Sequence, residues 1–541
     1  MLEDYARKIE KTIENVAGLK VRAEVILSEH GDITVKAFNL ARELRKNPAE
    51  IASGITKKLK EMKIEEFSEI RNVGAYINFF ISPEHLAKNL YENFRKSFPE
   101  RNERVLVEHT SANPTGPIHI GRARNPIIGD TIARLLKHMG YETMVEYYVN
   151  DMGKQVAMLL AAVKKKGTEN MSIDDYTKLY QEAYKNEEEY GEEAAKIMRD
   201  LENCDIDARK FSRKHIERIM KDITKTLEKI GVSYDSFVYE SDVLCENSSD
   251  EVLEKLKNMM KTDETGAKYV DVDGERVYLF RSDGTSLYFL RDILYHAYKA
   301  KRCDRMINVL GEDHKSYGKN LNKILKEVLG REAEIVYYSF VSLPEGKMST
   351  RAGRVVYLRD VLKEALERSR EEIEKRYPEE KDEWKEYVAE KIAYSAVRFN
   401  ILKVQVSKPV VFRWEDALNF EGESAPYIMY SYARACSILR KLGKFNEKPP
   451  CNLNHVSEIK LMKKLAMFKD VVEKTSVDLE VHKIAKYAIE LADAFNDFYR
   501  DCPVIKAEED IRDERATIVL MFKEIMGKTM EILGIEKLER M

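Results

Sequence analysis

One loop constrains the fold of this chain more than any other segment. It is NPTGPIHIGRARN (113–125), which holds two prolines, two glycines, a histidine and two arginines. An apolar run, RVLVEH (104–109), precedes it; apolar residues at helical spacing follow over 126–140, and then comes a second strand-like run, TMVEYYV (143–149). This order predicts a strand–loop–helix–strand unit. Unpaired N–H groups at a helix start, approached over glycine, predict that a phosphate group lies against the loop.

The rest of the chain extends this unit into a multidomain protein, because 541 residues exceed what one hydrophobic core accommodates. Strands and helices alternate over 101–360, which predicts an α/β fold with a doubly wound parallel, Rossmann-like sheet, interrupted by a helical insertion at about 155–235. Residues 1–100 predict a small N-terminal α+β module. Residues 361–395 predict a helical connector, and 396–541 a C-terminal all-α helical bundle.

Composition and charge exclude several classes of protein. With 44% hydrophobic and 34% charged residues, no apolar stretch long enough for a membrane and an acidic amphipathic start, the chain is expected to be cytoplasmic. A net charge of -3 excludes a histone-like basic protein. Six scattered cysteines without a C-x-x-C pair predict isolated buried thiols, neither a disulfide framework nor a structural metal site. They are Cys204, Cys245, Cys303, Cys436, Cys451 and Cys502.

Polar residues follow four successive strands of the predicted sheet, and ligands bind at the carboxyl ends of strands in such sheets. These residues are Glu108, His109 and Asn113 after the first strand, Asn150 and Asp151 after the second, GEDH (311–314), and PEGKMSTRAGR (344–354). After the insertion, the run AKYVDVDGERVYLF (267–280) is expected to return the chain to this sheet. Four polar clusters on four strand ends predict one shared site.

Two of these clusters resemble known signatures. The tetrapeptide HIGR (119–122) resembles the HIGH signature of class I aminoacyl-tRNA synthetases, and KMSTR (347–351) resembles their KMSKS loop. His119 and Gly121 lie where a helix begins, and Lys347 is a point cation suited to a leaving pyrophosphate. Two positions depart from the family pattern. Arg122 replaces the second histidine and keeps a cation there, whereas Thr350 replaces a lysine, for which Arg351 or Arg354 is the candidate substitute.

Acidic residues near the predicted site favour a cationic substrate. Glu108 ends the first strand, Tyr288 and Asp292 lie four apart on a predicted helix, and Asp313 follows a third strand. A guanidinium offers five donors in a planar fork that carboxylates accept in pairs, so arginine is favoured and lysine stays open. The interval between the two signatures is too short for the large editing domain of the leucyl, isoleucyl and valyl enzymes, and the unpaired cysteines argue against the zinc-dependent cysteinyl enzyme.

Over nearly its whole length the chain resembles the arginyl-tRNA synthetases. The similar segments are NVGAYINFF (72–80), YYVNDMGKQVAML (147–159), SLYFLRD (286–292), KMSTRAG (347–353), APYIMYSYARACSILRK (425–441) and the C-terminal LGIEKLERM. The resemblance implies that the N-terminal module contacts the tRNA elbow, that the central sheet binds ATP and arginine, and that the helical bundle binds the anticodon arm. It also implies that arginine activation depends on tRNA.

The residues and the resemblance together predict roles for individual side chains. The catalytic residues are His119, Arg122 and Lys347. The ATP-binding residues are Asn113, Pro114, Thr115, Gly116, His119, Gly121, Gly311, Met348 and Ser349. The arginine-binding residues are Glu108, Asn113, Tyr288, Asp292 and Asp313, and the tRNA-binding residues are Tyr427, Tyr430, Arg434 and Arg440. The expected partners are L-arginine, ATP with Mg²⁺ and arginine tRNA, without a membrane or a structural metal, and the chain is expected to be a monomer.

Three other functions stay open at this point. A class I lysyl-type enzyme would also need an acidic pocket for a cationic amino acid. A relative that binds tRNA without catalysis is a second alternative, and the presence of His119 and Lys347 argues against it. A small-molecule ligase built on the same nucleotidyl-transfer sheet is a third, and it leaves the helical bundle of about 150 residues without a role.

Overall fold

The central element of the computed structural model is a parallel five-stranded sheet. The structure describes residues 1–110, 112–246, 249–342, 344 and 356–541. The strand order is β12-β11-β5-β6-β7, and every neighbouring pair is parallel. The strands are β5 (Arg101–Glu108), β6 (Tyr141–Val149), β7 (Ser236–Tyr239), β11 (Arg305–Gly311) and β12 (Glu334–Tyr338). The predicted α/β fold with a doubly wound parallel sheet is confirmed.

Helices connect these strands and cover the sheet. The predicted strand–loop–helix–strand unit is present: a 3₁₀ turn at Ile120–Arg122 leads into α5, which returns the chain to β6. The helices between the strands are α5 (Arg124–His138), α10 (Glu240–Cys245), α11 (Asp250–Met259), α12 (Tyr288–Ala300) and α13 (Lys315–Leu329), with a second 3₁₀ turn at Glu312–His314. Val105 and Val107 of β5 are almost completely buried, as a central parallel strand requires.

Four helices fill the long connection between β6 and β7. They are α6 (Lys154–Lys166), α7 (Ile173–Lys185), α8 (Glu187–Glu202) and α9 (Ile206–Lys229). The turn between α8 and α9 is joined to the end of α10 by a disulfide between Cys204 and Cys245. The expectation of isolated buried thiols is therefore wrong for this pair, whose separation of 41 residues gave no local signal. Cys451 is exposed, which also departs from that expectation, whereas Cys303, Cys436 and Cys502 are buried thiols as expected.

The segment 267–280 does not return to the parallel sheet, which corrects that expectation. Its strands belong to a separate antiparallel sheet of order β10-β9-β8. These strands are β8 (Met260–Thr262), β9 (Lys268–Val272) and β10 (Glu275–Phe280). Gly274, with φ of 86°, follows Asp273 in the tight turn between β9 and β10, so the two runs pair with each other locally.

The N-terminal module is a four-stranded antiparallel sheet with helices, in the order β1-β2-β4-β3. Its elements are α1 (Leu2–Ala17), β1 (Ala23–Ser28), β2 (Gly31–Lys36), α2 (Phe38–Leu44), α3 (Pro48–Glu61), β3 (Phe67–Val73), β4 (Tyr76–Ile81) and α4 (Pro83–Asn93). The Arg95 guanidinium forms a bidentate pair with Glu447 at 2.7 and 2.9 Å, so the module contacts the C-terminal part of the chain.

The C-terminal part is helical, as predicted. Its helices are α14 (Leu358–Arg376), α15 (Asp382–Leu402), α16 (Trp414–Ala417), α17 (Ala425–Leu442), α18 (Val456–Ala466), α19 (Phe468–Asp478), α20 (His482–Asp501) and α21 (Glu509–Leu533). A short parallel pair, β13 (Val341–Ser342) with β14 (Val410–Val411), connects it to the end of the parallel sheet. Within the described ranges, no helix has both the length and the apolar character needed to cross a membrane.

A candidate active site at the carboxyl edge of the sheet

The loop after β5 is fixed by hydrogen bonds between buried polar groups. Thr110 adopts left-handed backbone (φ 65°), and its N–H donates to Asn125 Oδ1 at 2.7 Å. The Asn125 amide donates to the carbonyl of Val309 in β11 at 2.8 Å, and the Tyr234 hydroxyl donates to Thr110 Oγ1 at 2.7 Å. Because β11 and β5 are neighbours, these bonds attach the loop to the carboxyl ends of both strands.

The first signature lies where the helical segment begins. His119 is the N-cap of the 3₁₀ turn Ile120–Arg122, and α5 starts at Arg124. Burial, together with the nearby charge of Arg122, lowers the pKa of His119 to about 4. The imidazole is therefore neutral near pH 7 and has one donor and one acceptor nitrogen. The Arg122 side chain is exposed, so a cation and a neutral imidazole are presented together at this edge.

The second signature follows β13 and precedes α14. The chain after it pairs with the first signature: Ile120 N–H donates to the carbonyl of Val356 at 3.1 Å, and Leu358 N–H donates to the carbonyl of Ile118 at 2.9 Å. The predicted residues of this signature lie outside the described residues; they are Lys347, Met348, Ser349, Thr350, Arg351 and Arg354. On the described side of this signature, Tyr357 forms an antiparallel β-bridge with His119.

The other predicted nucleotide-binding residues within the described structure lie on the loop 113–125 or at the end of β11. Asn113 is exposed, and its amide donates to Gln155 Oε1 of α6 at 2.7 Å. Gly116 lies against α7, where an added Cβ would lie 2.8 Å from Thr177 Oγ1. Pro114 and Gly121 are buried, Thr115 is half-buried, and Gly311 is the last residue of β11. Close packing against α7 therefore explains why a glycine stands at position 116. The contact of Gly116 with a nucleotide stays a prediction.

Tyr288 and Asp292 lie one turn apart at the start of α12, as their spacing predicted. Asp292 Oδ2 accepts a hydrogen bond from the Tyr317 hydroxyl at 2.6 Å, and Oδ1 lies 3.1 Å from His296 Nδ1. Burial alone would raise the pKa of Asp292, but the interactions with His296 and the hydrogen bond from Tyr317 outweigh it and keep that pKa below its usual value. The Tyr288 ring is 60% exposed and stacks on Tyr317 with ring centroids 5.6 Å apart.

The other two predicted acids differ in their surroundings. Glu108 is buried at the end of β5 and forms an ion pair with the completely buried Lys299 of α12, with Oε2 2.6 Å from Nζ. The Asp313 side chain is 54% exposed, in the turn that follows β11. Sequence reasoning therefore identified the carboxylates and missed the lysine that pairs with one of them.

Two buried arginines were also missed, and both fasten α5. Arg124 is fully buried and donates to the carbonyls of Ser339 at 2.6 Å and Gln405 at 2.7 Å. Arg398 of α15 pairs with Asp130 of α5 at 2.5 Å and donates to the carbonyl of Leu533, at the end of α21, at 2.6 Å. Arg124 is the second arginine of the loop 113–125. Its guanidinium donates to main-chain carbonyls of the fold.

The predicted tRNA-binding residues lie on α17, some of them with partners inside the bundle. The Tyr427 hydroxyl donates to Asp493 at 2.7 Å. The Arg434 guanidinium stacks over Tyr430 with a distance of 4.6 Å from Cζ to the ring centroid, and it donates to Asn496 at 2.8 Å. Arg440 is exposed in the last turn of the helix. These contacts leave the Arg440 guanidinium as the most accessible cation of the set.

Three family models match the chain. The model described as "tRNA synthetases class I (R), catalytic domain" matches residues 85–414. The "DALR anticodon binding domain" matches 428–541, and the "Arginyl tRNA synthetase N terminal domain" matches 3–81. The parallel sheet, the signature at the helix start and the catalytic-domain match together define a class I tRNA synthetase.

Full-length relatives narrow this class to one amino acid. The chain is 40% identical to the arginine–tRNA ligase of Methanocella arvoryzae, over 100% of this chain and 99% of the relative. It is 38% identical to that of Methanocaldococcus jannaschii, over 94% and 93%. The solved arginyl-tRNA synthetase of Thermus thermophilus superposes with a TM-score of 0.86 at 27% identity, covering 99% and 100% of the two chains. The chain belongs to the arginyl-tRNA synthetase family.

Proposed function

We propose that the crevice at the carboxyl edge of the sheet binds ATP over the loop before α5 and binds arginine beside α12. The reaction of the chain is the ligation of arginine to its tRNA, as in the family. The observation that supports this placement is the common edge: His119 and Arg122 follow β5, and Asp292 lies on the helix that leads into β11. Charge for a phosphate and charge for a guanidinium thus lie on segments that adjoin the neighbouring strands β5 and β11.

The first step joins arginine to AMP. An oxygen of the arginine carboxylate attacks the α-phosphorus of ATP, the bond from that phosphorus to the β-phosphate oxygen breaks, and pyrophosphate leaves. The substrate itself supplies the nucleophile, so the protein contributes positioning and charge stabilisation. The neutral imidazole of His119 donates a hydrogen bond to a phosphate oxygen, and Arg122 and Lys347 balance charge on the phosphates. ATP enters as its Mg²⁺ complex, which neutralises part of that charge.

Arginine recognition is assigned to the side chains around Asp292. The carboxylate of Asp292 accepts hydrogen bonds from the guanidinium, and the exposed ring of Tyr288 forms one wall of the pocket. Glu108, Asn113 and Asp313 remain the predicted ligands for the rest of the amino acid. Asn113, Pro114, Thr115, Gly116, Gly121, Gly311, Met348 and Ser349 remain the predicted contacts of ATP.

The second step transfers arginine to tRNA. A hydroxyl of the terminal ribose attacks the carbonyl carbon of arginyl-adenylate, its proton is released, and AMP leaves. The N-terminal module binds the tRNA elbow and the C-terminal helices bind the anticodon arm, through Tyr427, Tyr430, Arg434 and Arg440 among others. The proposed boundaries are those of the sequence: 1–100, 101–360, 361–395 and 396–541. The proposed setting is a monomer in the cytoplasm.

The deciding experiment is ATP–pyrophosphate exchange with each of the twenty amino acids, with and without bulk tRNA. We expect exchange with arginine, stimulated by tRNA. Exchange with lysine would favour the lysyl-type alternative. Exchange with no amino acid, together with tight tRNA binding, would favour the non-catalytic relative. Charging of tRNA with labelled arginine separates this function from a small-molecule ligase, since such a ligase would leave the tRNA unlabelled.

A further inference from the structure

A row of polar side chains crosses the three central strands beneath α12. Glu108 of β5 is in register with Glu146 of β6 on one side and with Asn308 of β11 on the other. All three are buried, with at most 6% of their surface exposed. Buried carboxylates need partners, since a lone buried charge is strongly unfavourable. The face of α12 that packs on the row supplies them.

Lys299 is the partner of two members of this row. It is completely buried, and its Nζ lies 2.6 Å from Glu108 Oε2, 2.9 Å from Asn308 Oδ1 and 3.1 Å from His296 Nε2. An ammonium has three donors, and three protein groups face this one. Lys299 therefore has no donor left for a substrate, and any effect on a substrate passes through the groups that it contacts.

His296 connects Lys299 to the predicted arginine ligand. Its Nε2 faces two donors, Lys299 Nζ and Asn308 Nδ2, the latter at 2.8 Å. Its Nδ1 faces two acceptors of Asp292, the main-chain oxygen at 2.8 Å and Oδ1 at 3.1 Å. Nε2 must then accept and Nδ1 must carry the hydrogen, which defines the neutral tautomer with the proton on Nδ1. The imidazole donates toward Asp292 because the other side of its ring is occupied by donors.

We propose that Lys299 is a positioning residue that sets both the charge and the geometry of the arginine site. It neutralises Glu108, and through His296 it orients the Asp292 carboxylate. Asp292 has no lysine or arginine within 4.0 Å among the residues that the structure describes, so its charge is available to the guanidinium. This inference rests on the proposed assignment of arginine to the pocket beside α12.

The neighbouring position in the row provides a matched control. Arg302 follows the end of α12 and forms an ion pair with Glu146 at 2.8 and 2.9 Å. Glu146 is completely buried and, like Glu108, lies beneath α12. The described structure gives Arg302 no contact with His296 or Asp292. A variant of Arg302 thus breaks a buried pair in the same sheet without touching the link to Asp292.

The test compares Lys299→Met with Arg302→Met in steady-state aminoacylation, with arginine and ATP varied separately. We expect Lys299→Met to raise the KM for arginine by about 10- to 100-fold, the effect of losing a charge-assisted contact, while the KM for ATP changes by less than about threefold. Arg302→Met should change both KM values by no more than about twofold. An equal rise of the two KM values in Lys299→Met, or an arginine effect no larger than that of Arg302→Met, overturns the proposal.

A second variant tests the contact of His296 with Asp292, and it can be measured even if Lys299→Met does not fold. His296→Phe keeps the Lys299–Glu108 pair and removes the donor to Asp292, so it should raise the arginine KM alone. In the double variant the two effects should not add, because both interrupt one chain of contacts. Additive effects, or an unchanged arginine KM in His296→Phe, overturn the inference. The wild type distinguishes a failure of the proposed function from a failure of this inference. If the wild type does not activate arginine, the proposed function is wrong. If its kinetics are normal and the variants are unaffected, the inference alone is wrong.

Discussion

Several buried charges of the described structure form ion pairs, and these pairs help to show which charge is left for a ligand. Glu108 has Lys299 and Asp130 has Arg398, each within 2.6 Å. Asp292 differs because it accepts from the Tyr317 hydroxyl and lies beside the His296 imidazole, whereas no lysine or arginine of the described structure lies within 4.0 Å of it. A carboxylate stabilised by neutral donors keeps its charge for an incoming cation. At the scale of the residue, Asp292 is therefore the carboxylate that we propose as the centre of the arginine site.

Replacement of this carboxylate tests that statement. Asp292→Asn keeps the shape and an acceptor for Tyr317 but removes the charge. The contact to the guanidinium should weaken by about 1.5–3 kcal/mol, which raises the KM for arginine about 10- to 100-fold and leaves the KM for ATP nearly unchanged. Steady-state aminoacylation measures both. Asp304→Asn is the control, since Asp304 directly precedes β11, at the amino end of that strand, and pairs there with Arg104 of β5. A rise in the ATP KM alone would place the arginine pocket elsewhere.

The sequence predicted some residues of this proposed pocket. The spacing of polar residues along α12 could have indicated others. Asp292 was predicted because it lies four residues after Tyr288 on a predicted helix and thus shares a face with it. His296 and Lys299 follow it at spacings of four and three, so all three lie on one face of α12. That face is packed against the sheet, where apolar residues are expected, and polar residues there indicate a buried network. Their partners, Glu108 and Asn308, are distant along the chain, and strand register was needed to bring them together.

Elements were predicted better where they are long and periodic than where two short strands compete for partners. β5, α5 and β6 lie where the loop 113–125 required them. The runs at 267–280 have strand composition, but composition does not state which sheet a strand joins. A turn at Gly274 closes them into a hairpin before they can reach the parallel sheet. The Cys204–Cys245 disulfide is similar, because it joins elements that approach each other only after folding.

The junction of β5 and α5 predicts a pH dependence of stability. His109 follows β5 and packs against Gly129 of α5, and burial lowers its pKa from 6.5 to about 4. Between these values the unfolded chain binds the proton and the folded chain does not, so this stability is complete above pH 6.5 and is lost as the pH falls toward 4. By pH 5 the loss amounts to about 2 kcal/mol.

Thermal unfolding at pH 7 and at pH 5 measures this dependence. In His109→Asn the fall in Tm between the two pH values should be smaller than in the wild type. It should not disappear, because burial also lowers the pKa of His119 and His215 to about 4. His30→Asn, at an exposed position, is the control and should keep the wild-type difference. The same fall in Tm for His109→Asn and the wild type would remove His109 as a source of the effect.

At the scale of the whole molecule, the C-terminal helices are joined to the sheet too closely to be removed as a unit. Arg398 connects α15 to Asp130 of α5 and to the end of α21. A break near residue 400 would cut α15, which continues to Leu402, and would remove the Leu533 carbonyl that accepts a hydrogen bond from the buried Arg398. Point substitutions on the surface are therefore the better test of where tRNA binds.

Arg440 is the position for that test. It is exposed at the end of α17, whereas Arg434 is engaged by Tyr430 and Asn496. If the C-terminal helices hold the tRNA backbone, Arg440→Ala should weaken binding and lower the slope of log affinity against log salt by about 1, the share of one phosphate contact. The measurement is filter binding of arginine tRNA over a series of salt concentrations. Lys326→Ala is the matched control, because Lys326 is 68% exposed on α13, outside the C-terminal helices, and should leave the slope unchanged. Equal slopes for Arg440→Ala and Lys326→Ala would show that the tRNA backbone contacts a different surface, since counterion release reports each phosphate contact wherever it is made.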